Sequence, residues 1–312
     1  MRALIVLNPV AGRTKATVVR QAIDRHFKEN EWQITVHETK AGEPVGDIVG
    51  HQIESGLDVV IAAGGDGTVS AVINGMANRD VPLGILPTGT TNAIAQELKI
   101  PANVDDACQL ITGKHRIRAI DALQVKDDFY ALSVGIGLDA RAMENTSQRQ
   151  KRRFGKLAYI WVILKLVLGI QPETFTLIAD GELRRVKAAD ILMTNVSTLT
   201  RPFRWGPHIV PDDGQIDIII MRARNLIDIL GVVYDILVPG RPRRNRNLRY
   251  WSAQKTIQVF PERPLPVQGD GELLGIRKIL EVQVWTGAVG VIVPAEKPGR
   301  RWSNLPRPSL RG

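Results

Sequence analysis

The feature that most constrains the fold is an alternation of short apolar runs with helical patterns over roughly residues 1–120. The runs at residues 57–62 and 81–86 are apolar except for Asp58, as in strands that are buried on both faces. Between such runs, apolar residues recur at the spacing of one helical face, for example over residues 18–27. This alternation predicts a parallel sheet that is covered by helices.

After about residue 121 the pattern changes to strand-like pieces that are separated by turn residues. Only two segments of this half, residues 154–168 and 226–237, have helical length. The predicted strands are residues 129–134, 175–179, 188–193, 216–221, 256–260 and 279–285. The pattern therefore predicts a second domain that is mostly antiparallel, in the form of a β-sandwich.

These changes divide the 312-residue chain into four predicted parts. Residues 1–122 form the α/β domain, residues 123–285 form the β-rich domain, and residues 286–295 are a strand that returns to the first domain. Residues 296–312 contain Pro, Gly and Arg without periodicity, so we expect a basic and mobile tail.

The unusual property of the composition is its charge. The chain has 41 Lys and Arg residues against 32 Asp and Glu residues, which is a formal net charge of +9. This excess favours anionic partners such as nucleotides, nucleic acids or an acidic membrane surface, but charge alone does not choose among them.

Cysteine content and hydropathy bear on the cellular compartment in which the protein is expected. Cys108 is the single cysteine, so no internal disulfide can form, and the first residues lack the pattern of a signal peptide. The longest apolar stretch, residues 157–170, is interrupted by Lys165 and is too short to span a bilayer. We therefore expect a cytoplasmic protein.

A glycine-rich loop, Gly64-Gly65-Asp66-Gly67-Thr68, follows one predicted strand and precedes a helical pattern. Glycines let the backbone approach a ligand closely, and the start of the following helix presents N–H groups to an anion. This arrangement is typical of a phosphate-binding loop. Asp66 would repel a phosphate, so we expect Mg²⁺ or a water molecule between them. The alternative is an ordinary glycine turn with an Asp cap.

Two further loops are predicted at the same edge of the sheet. Pro87-Thr88-Gly89-Thr90-Thr91-Asn92 follows the run at residues 81–86, and Asn8-Pro9-Val10-Ala11-Gly12 follows the first strand. Open α/β folds place their ligands at the carboxyl ends of such strands. The Gly-Lys-Ser/Thr sequence of P-loop proteins does not occur in the chain.

The order of these motifs resembles the diacylglycerol kinase catalytic family, in its bacterial branch of soluble lipid kinases. The resemblance spans nearly the whole chain and includes Gly135-Ile136-Gly137-Leu138-Asp139-Ala140. It implies a first domain like those of NAD kinases and phosphofructokinases, which binds ATP with Mg²⁺ near Asp66. The implied nucleotide contacts are Asn8, Pro9, Gly12, Thr39, Gly64, Gly65, Asp66, Gly67, Thr68, Thr88, Gly89, Thr90 and Asn92.

The segment Gly269-Asp270-Gly271-Glu272 predicts a hairpin turn on its own, because Asp-Gly after an apolar run is a strong turn signal. The resemblance instead implies that Asp270 or Glu272 is catalytic and accepts the proton of a hydroxyl substrate. It also implies that Asp121 belongs to the same acidic network. Which of the two carboxylates acts stays open.

The resemblance further implies a structural Mg²⁺ site at Asp213, with the backbone carbonyls of Val210 and Gln215. Oxygen ligands of this kind suit that ion. The alternative is an Asx turn that leads into the strand at residues 216–221.

Two stretches depart from the family pattern. Ala93 and Gln96 stand where many members have an Asp and an Arg, so those roles cannot be assigned here. The glycine-rich approach to the Asp213 segment is altered at residues 204–208. These departures bear on the substrate more than on ATP.

Two basic clusters lie in the second half of the chain. Five of the residues from 149 to 156 are basic and run into an apolar segment, and five Arg residues lie between positions 241 and 249. A helix with a cationic start and an apolar body is able to lie on an anionic membrane. The alternative is that this helix packs on the second domain.

Together these features predict an ATP- and Mg²⁺-dependent lipid kinase that phosphorylates a hydroxyl of diacylglycerol or a related lipid. The protein would then work at an anionic membrane surface, as a peripheral membrane protein. One alternative is an NAD kinase-like enzyme, which shares the Gly-Gly-Asp-Gly loop but does not need the Asp270-Gly271-Glu272 element. The other, which the motifs disfavour, is a non-catalytic basic protein that binds nucleotides or nucleic acid.

Overall fold

The structure is a computed structural model that describes residues 1–12, 14–144, 172–200, 203–206, 209–237 and 245–295. Several predicted features lie outside these residues. They are the helix at residues 154–168, the basic cluster at residues 149–156, the arginines at 241, 243 and 244, and the tail at residues 296–312.

Four parallel strands form the sheet of the first half. β1 (Arg2–Leu7) pairs with β2 (Gln33–Glu38) and with β3 (Val59–Gly64), and β3 pairs with β4 (Leu83–Pro87), all in parallel. β3 and β4 are buried along their whole length, as their continuous apolar sequences predict. The predicted parallel sheet is therefore confirmed.

Helices cover both faces of this sheet. They are α1 (Ala16–Glu29), α2 (Val45–Ile53), α3 (Asp66–Met76), α4 (Ala93–Glu97) and α5 (Val104–Thr112). α1 and α5 pack with one set of alternate β1 residues, which includes Ile5 and Leu7. α2 and α3 pack with the other set, which includes Leu4 and Val6. The period-two alternation of β1 thus supplies a core on each side of the sheet.

The second half is built mainly from strands. They are β5 (His115–Val125), β6 (Asp128–Tyr130), β7 (Ser133–Gly137), β8 (Glu173–Ala179), β9 (Glu182–Ala188), β10 (Asp190–Thr194), β11 (Thr198–Thr200), β12 (Phe203–Arg204), β13 (Ile216–Met221), β14 (Leu248–Ala253), β15 (Thr256–Pro261), β16 (Leu265–Gly269), β17 (Glu272–Arg277) and β18 (Leu280–Pro294). Two helices, α6 (Leu138–Glu144) and α7 (Leu226–Leu237), accompany them. No helix within the described residues has both the length and the apolar character needed to cross a membrane.

Two sheets face each other in this half. One is a six-stranded antiparallel sheet in the order β14-β13-β10-β7-β16-β17. The other is the ten-stranded sheet that continues the parallel strands through β18, in the order β2-β1-β3-β4-β18-β15-β8-β9, with β5 and β6 attached at β18. Apolar residues of both sheets, such as Phe175, Leu177, Ile191 and Ile218, share one core. The predicted β-sandwich is therefore confirmed.

Two predicted strands differ from the structure. The run at residues 129–134 is divided between β6 and β7, because the N–H groups of Ala131 and Leu132 leave the ladder and donate to the carboxylate of Asp270. Residues 188–193 are likewise divided, since β9 ends at Ala188 and β10 begins at Asp190.

A third difference concerns β18. The strands predicted at residues 279–285 and 286–295 are one strand with an irregularity between Trp285 and Val289. Gly287 has a φ of 65° at this bulge, and its N–H group donates to Asp121. Beyond the bulge, β18 pairs with β5 and, at Val291, with β4. The expected domain boundary at residue 285 therefore falls within one strand.

We predict that Gly75→Ala destabilises the protein whereas Gly46→Ala does not. A Cβ atom on Gly75 of α3 would lie 2.2 Å from the carbonyl oxygen of Gly46 in α2, whereas a Cβ on Gly46 would be 3.5 Å from its nearest neighbour. Alanine is the better helix former at both positions, so only the backbone clash separates the two variants. Thermal unfolding should show a loss of roughly 1–3 kcal/mol for Gly75→Ala alone. Equal stability of the two variants would contradict the close packing of α2 on α3.

Candidate active site

The three glycine loops meet at the carboxyl edge of the parallel strands. A Cβ atom on Gly12, which has a φ of 64°, would lie 1.8 Å from the carbonyl oxygen of Thr88. A Cβ on Gly89 would lie 2.4 Å from the Cα atom of Gly65. The loops that follow β1, β3 and β4 therefore touch through their backbones, and glycine is required where they do.

Asparagine side chains hold the shapes of two of these loops. Asn8 donates to the hydroxyl of Thr68 at 3.1 Å and accepts the N–H group of Val10 at 3.1 Å. Asn92, in the left-handed conformation with a φ of 52°, exchanges two hydrogen bonds of 2.9 Å with the backbone of Gly89. The motif asparagines therefore support the loops from inside, as Asx turns do.

The remaining predicted nucleotide contacts lie around the same edge. Thr39 follows β2, and its N–H group donates to the carbonyl of Leu7 at 2.9 Å. Gly67 is exposed, and a Cβ atom there would meet nothing within 4 Å. The hydroxyl of Thr88 is buried and has no hydrogen-bond partner within the described residues. The cluster thus combines open space with an unsatisfied polar group, which suits a polar ligand.

Asp66 is the first residue of α3. Its carboxylate accepts the N–H group of Ile94 in α4 at 3.4 Å. Burial raises the pKa of Asp66, and hydrogen bonds from the backbone of residues 92–94 oppose that rise. Asp66 therefore links the glycine loop after β3 to α4, whereas the N-cap of its own helix α3 is Gly65.

One face of α3 connects the glycine loops to the second half of the chain. Asp66, Ser70 and Asn74 are four residues apart, so they share this face. Ser70 donates its hydroxyl to the carboxylate of Asp270, and Asn74 accepts the N–H group of Phe129 at 2.9 Å. Asp270 is thus anchored by Ser70, which lies about one helical turn, roughly 6 Å along the axis, from Asp66.

Asp270 and Gly271 form the two-residue turn between β16 and β17. Their φ values of 47° and 88° are both positive, as in a type I′ hairpin. The hairpin that the sequence predicts is therefore present. In addition, the Asp270 side chain points away from its own turn and into the molecule.

The carboxylate of Asp270 is occupied by protein donors. It accepts the N–H groups of Ala131 at 2.8 Å, Leu132 at 2.9 Å and Ser133 at 2.7 Å, besides the hydroxyl of Ser70. Burial raises the pKa of Asp270, while these hydrogen bonds favour its ionised form. Both oxygens are engaged, so Asp270 fits the role of a fixed anion better than that of a proton acceptor.

Glu272 is the more accessible of the two carboxylates. It is exposed at the start of the edge strand β17, and its carboxylate has no hydrogen-bond or ion-pair partner within the described residues. Burial raises the pKa of Tyr130, and the charges of Asp128, Asp270 and Glu272 add to this rise, so Tyr130 lies near both hairpin carboxylates. A Cβ atom on Gly269 would come within 2.4 Å of the Tyr130 ring, so the ring lies against the hairpin.

Asp121 occupies a different part of the structure. It is 2% exposed, and it accepts the N–H group of Gly214 at 2.7 Å and that of Gly287 at 2.8 Å. Burial raises its pKa, and these two bonds oppose the rise. The described contacts of Asp121 therefore join β5 to β18 and to the loop at residues 210–215, without a hydrogen bond to Asp270 or Glu272.

The loop at residues 210–215 holds the predicted metal ligands. Asp213 accepts the N–H group of Gln215 at 3.1 Å, so the Asx turn is present. Arg118 of β5 clamps Asp212 with hydrogen bonds of 2.7 and 2.5 Å. No group of three or more His, Cys, Asp or Glu side chains suited to a metal occurs in the described part of the chain. An ion at this loop would therefore depend on Asp213 and on backbone carbonyls.

Ala93 and Gln96, the first departure from the family pattern, lie in α4. Of the second departure, at residues 204–208, residues 207 and 208 lie outside the described part of the chain. Ala93 is 5% exposed, and Gln96 donates its side-chain amide to the carbonyl of Thr91. Next to them, Glu97 accepts hydrogen bonds from Ser197 at 2.8 Å and Thr198 at 2.6 Å. α4 therefore serves as a packing element between the third glycine loop and β11.

Sequence reasoning missed Ser70 and Tyr130. Ser70 lies four residues after Asp66 in a helical pattern, so the helical period could have placed it beside the loop. Tyr130 gives no such signal, because its position depends on pairing between β5 and β6 and on the distant hairpin.

Comparison with known proteins gives this arrangement a family. The profile of the diacylglycerol kinase catalytic domain matches residues 2–125. The profile of the YegS C-terminal NAD kinase beta sandwich-like domain matches residues 132–293.

Relatives match along most of their length. A diacylglycerol kinase of Bacillus subtilis is 27% identical over 303 residues, which cover 95% of this chain and 97% of that protein. An uncharacterized protein of Synechocystis is 27% identical over 307 residues, which cover 94% of this chain and 70% of that protein. The crystal structure of a diacylglycerol kinase from Bacillus anthracis has the same fold, with a TM-score of 0.72 at 21% identity over 94% of this chain and 96% of that chain. Because the two profiles together match most of the chain, it belongs to the diacylglycerol kinase catalytic family, in its bacterial branch of lipid kinases.

Proposed function

We propose that the protein transfers the γ-phosphoryl group of ATP to a hydroxyl of diacylglycerol or a related lipid. The observation that carries this proposal is the single face of α3 that bears both Asp66 and Ser70. Asp66 lies in the glycine loop, and Ser70 holds Asp270 beside Glu272. A phosphate at the loop and a carboxylate on the hairpin are then both able to reach one acceptor hydroxyl, as transfer requires.

The glycine loops are the proposed ATP site. They expose backbone between Gly64 and Thr68 at the start of α3, where N–H groups and the helix dipole attract phosphate. The unsatisfied hydroxyl of Thr88 and the open space at Gly67 fit a polar ligand there. Thr39, directly after the neighbouring strand β2, is a further proposed contact to the nucleotide.

Two oxygen donor sets fit Mg²⁺. Asp66 would hold the ion that accompanies the ATP phosphates, and Asp213 with the carbonyls of Val210 and Gln215 would hold a structural ion. When bound at Asp66, Mg²⁺ neutralises charge on the phosphates. The protein residues then have to orient the acceptor and take its proton.

Glu272 is the proposed proton acceptor. The lipid oxygen forms a bond to the γ-phosphorus while the bond from that phosphorus to the ADP oxygen breaks, and the hydroxyl proton passes to the Glu272 carboxylate. Asp270 is a positioning residue, because its oxygens already accept hydrogen bonds from Ser70 and from the backbone of residues 131–133. Its ionic charge stays fixed while Glu272 changes its protonation state.

A lipid acceptor requires contact with a membrane, and α7 supports peripheral association. Val232 faces inward with a 2% exposed side chain, whereas Ile227 and Leu230 are 78% and 56% exposed. Residues 245–247 lie beside the start of α7, and the exposed Arg224 and Arg246 flank the helix there. An apolar helix face with a basic rim suits an anionic bilayer, where each basic residue contributes about 1 kcal/mol.

We predict that Glu272→Gln lowers the rate of lipid phosphorylation by about 10²- to 10⁴-fold, because the proton acceptor is lost. ATP binding and the melting temperature should stay unchanged, since Glu272 is exposed. Labelled ATP and diacylglycerol in mixed micelles give the rate, and Glu29→Gln, at the exposed end of α1, is the matched control. Full activity of Glu272→Gln would overturn the assignment.

Asp270→Asn should behave differently. Its amide would direct N–H groups at the backbone donors of residues 131–133, so activity and melting temperature should fall together. A stable Asp270→Asn variant that lacks activity would instead make Asp270 the proton acceptor.

NAD offered as acceptor in the same assay tests the alternative substrate class, and phosphorylation of NAD in place of lipid would contradict the lipid kinase.

We predict that Ile227→Ser/Leu230→Ser weakens binding to vesicles that contain anionic lipid. Removal of two exposed apolar side chains should lower the partition constant by roughly tenfold or more, since each contributes about 1 kcal/mol or more on insertion. Vesicle sedimentation measures this. Activity on micellar lipid should be retained, and Leu183→Ser, at a 63% exposed apolar position on β9, should bind vesicles normally. Unchanged binding of the double variant would exclude α7 as the membrane contact.

A further inference from the structure

A pair of acidic side chains lies behind the hairpin. Asp139 is the second residue of α6, and Asp190 is the first residue of β10. Asp190 is 5% exposed and accepts the backbone N–H group of Asp139 at 3.3 Å. The pKa of each carboxyl group responds to a hydrogen bond with the other, so the two side chains are neighbours. Neither group takes part in the proposed phosphoryl transfer.

Glycines of the motif Gly135-Ile136-Gly137-Leu138-Asp139-Ala140 make room for this pair. A Cβ atom on Gly135 would lie 2.4 Å from a carboxylate oxygen of Asp139. Gly137 has a φ of 127°, and a Cβ there would lie 3.0 Å from a carboxylate oxygen of Asp190. The motif is therefore built around the two acids.

A hydrogen bond between two carboxyl groups requires one proton, because an ionised carboxylate has no donor. Asp139 also accepts the N–H group of Ala140 at 2.6 Å and the side-chain amide of Gln268 at 2.8 Å. Both bonds are shorter than the 3.3 Å bond that Asp190 accepts from the Asp139 backbone, so we assign Asp139 as the ionised member. Burial, followed by the charge of Asp139, raises the pKa of Asp190 well above its ordinary value, in agreement with a protonated Asp190.

Gln268 connects this pair to the hairpin. Its amide nitrogen faces Asp139, so its amide oxygen is turned the other way and accepts the N–H group of Gly271 at 3.0 Å. Gly271 is the turn residue between Asp270 and Glu272. The orientation of the buried Gln268 amide therefore depends on Asp139 acting as a hydrogen-bond acceptor.

We propose that Asp139 and Asp190 share one proton and act as positioning residues, which orient the Gln268 amide so that it holds the turn that presents Glu272. This inference rests on the proposed role of Glu272. Asp190 donates the shared proton to Asp139. Because the ionised Asp139 carboxylate has no donor, Gln268 has to direct its amide nitrogen toward it. No proton leaves the pair during turnover.

Single substitutions of Asp190, Asp139 and Gln268 should differ in their effects on kcat. Asp190→Asn retains a donor to Asp139, so it should lose less activity than Asp139→Asn. Asp139→Asn offers an N–H group to Gln268, which reverses the amide and removes the acceptor from Gly271. Misplacement of the turn should then lower kcat by about 10²-fold at an unchanged KM for ATP. Gln268→Glu should also lose activity, because it sets a second carboxylate against Asp139.

Rescue distinguishes positioning from a general loss of folding. In the double variant Asp139→Asn/Gln268→Glu, the carboxylate introduced at position 268 is able to accept from both the amide introduced at position 139 and the N–H group of Gly271. Activity should therefore recover by about tenfold over either single variant. Equal losses for Asp190→Asn and Asp139→Asn, or a double variant no better than the single ones, would overturn the proposal.

Hydrogen exchange gives a readout that does not depend on catalysis. Protection of the Gly271 amide should fall at least about tenfold in Asp139→Asn and stay unchanged in Asp190→Asn, because only the former removes its acceptor. If the wild type fails to phosphorylate lipid, the proposed function fails while this readout still tests the acid pair. If exchange at Gly271 is alike in both variants, the pair does not position the turn, whatever the activity.

Discussion

The carboxylate of Asp270 is the interaction on which the site depends. It accepts a hydrogen bond from Ser70 of α3 and from three successive backbone N–H groups at residues 131–133. One anion thereby fixes the hairpin between β16 and β17, ends the pairing of β6, and joins the sandwich to the helix that starts at the glycine loops. An ionised carboxylate is suited to this, since it accepts several donors and leaves no buried N–H group unpaired.

Features that arise from local periodicity could be predicted from the sequence. β13 and α7 have the bounds that their apolar patterns indicate, and the buried strands β3 and β4 were recognisable from apolar runs. The break between β6 and β7 could not be predicted in this way, because its cause, Asp270, is 139 positions away from Ala131. The same holds for the bulge of β18, which depends on Asp121, 166 positions from Gly287.

The candidate site was only partly predictable for a related reason. Motif order placed the glycine loops on one edge, and the residues meet there as expected. The sequence could not choose between Asp270 and Glu272, since both are carboxylates within one turn. Their surroundings separate them: Asp270 is surrounded by donors, whereas Glu272 is exposed on an edge strand. The shared proton of Asp139 and Asp190 likewise depends on contacts between α6 and β10 that no local pattern contains.

The central claim is that Glu272, held by a hairpin that Asp270 anchors, accepts the proton of a hydroxyl brought to the phosphates at the glycine loops. A crystal structure with a non-hydrolysable ATP analogue, Mg²⁺ and a short-chain diacylglycerol tests this claim most directly. The account predicts the acceptor hydroxyl within about 3 Å of the Glu272 carboxylate, with the terminal phosphate at the start of α3 and Asp270 still bonded to Ser70. A hydroxyl bound by Asp270, or a terminal phosphate away from the loop of Gly64 to Thr68, would contradict it.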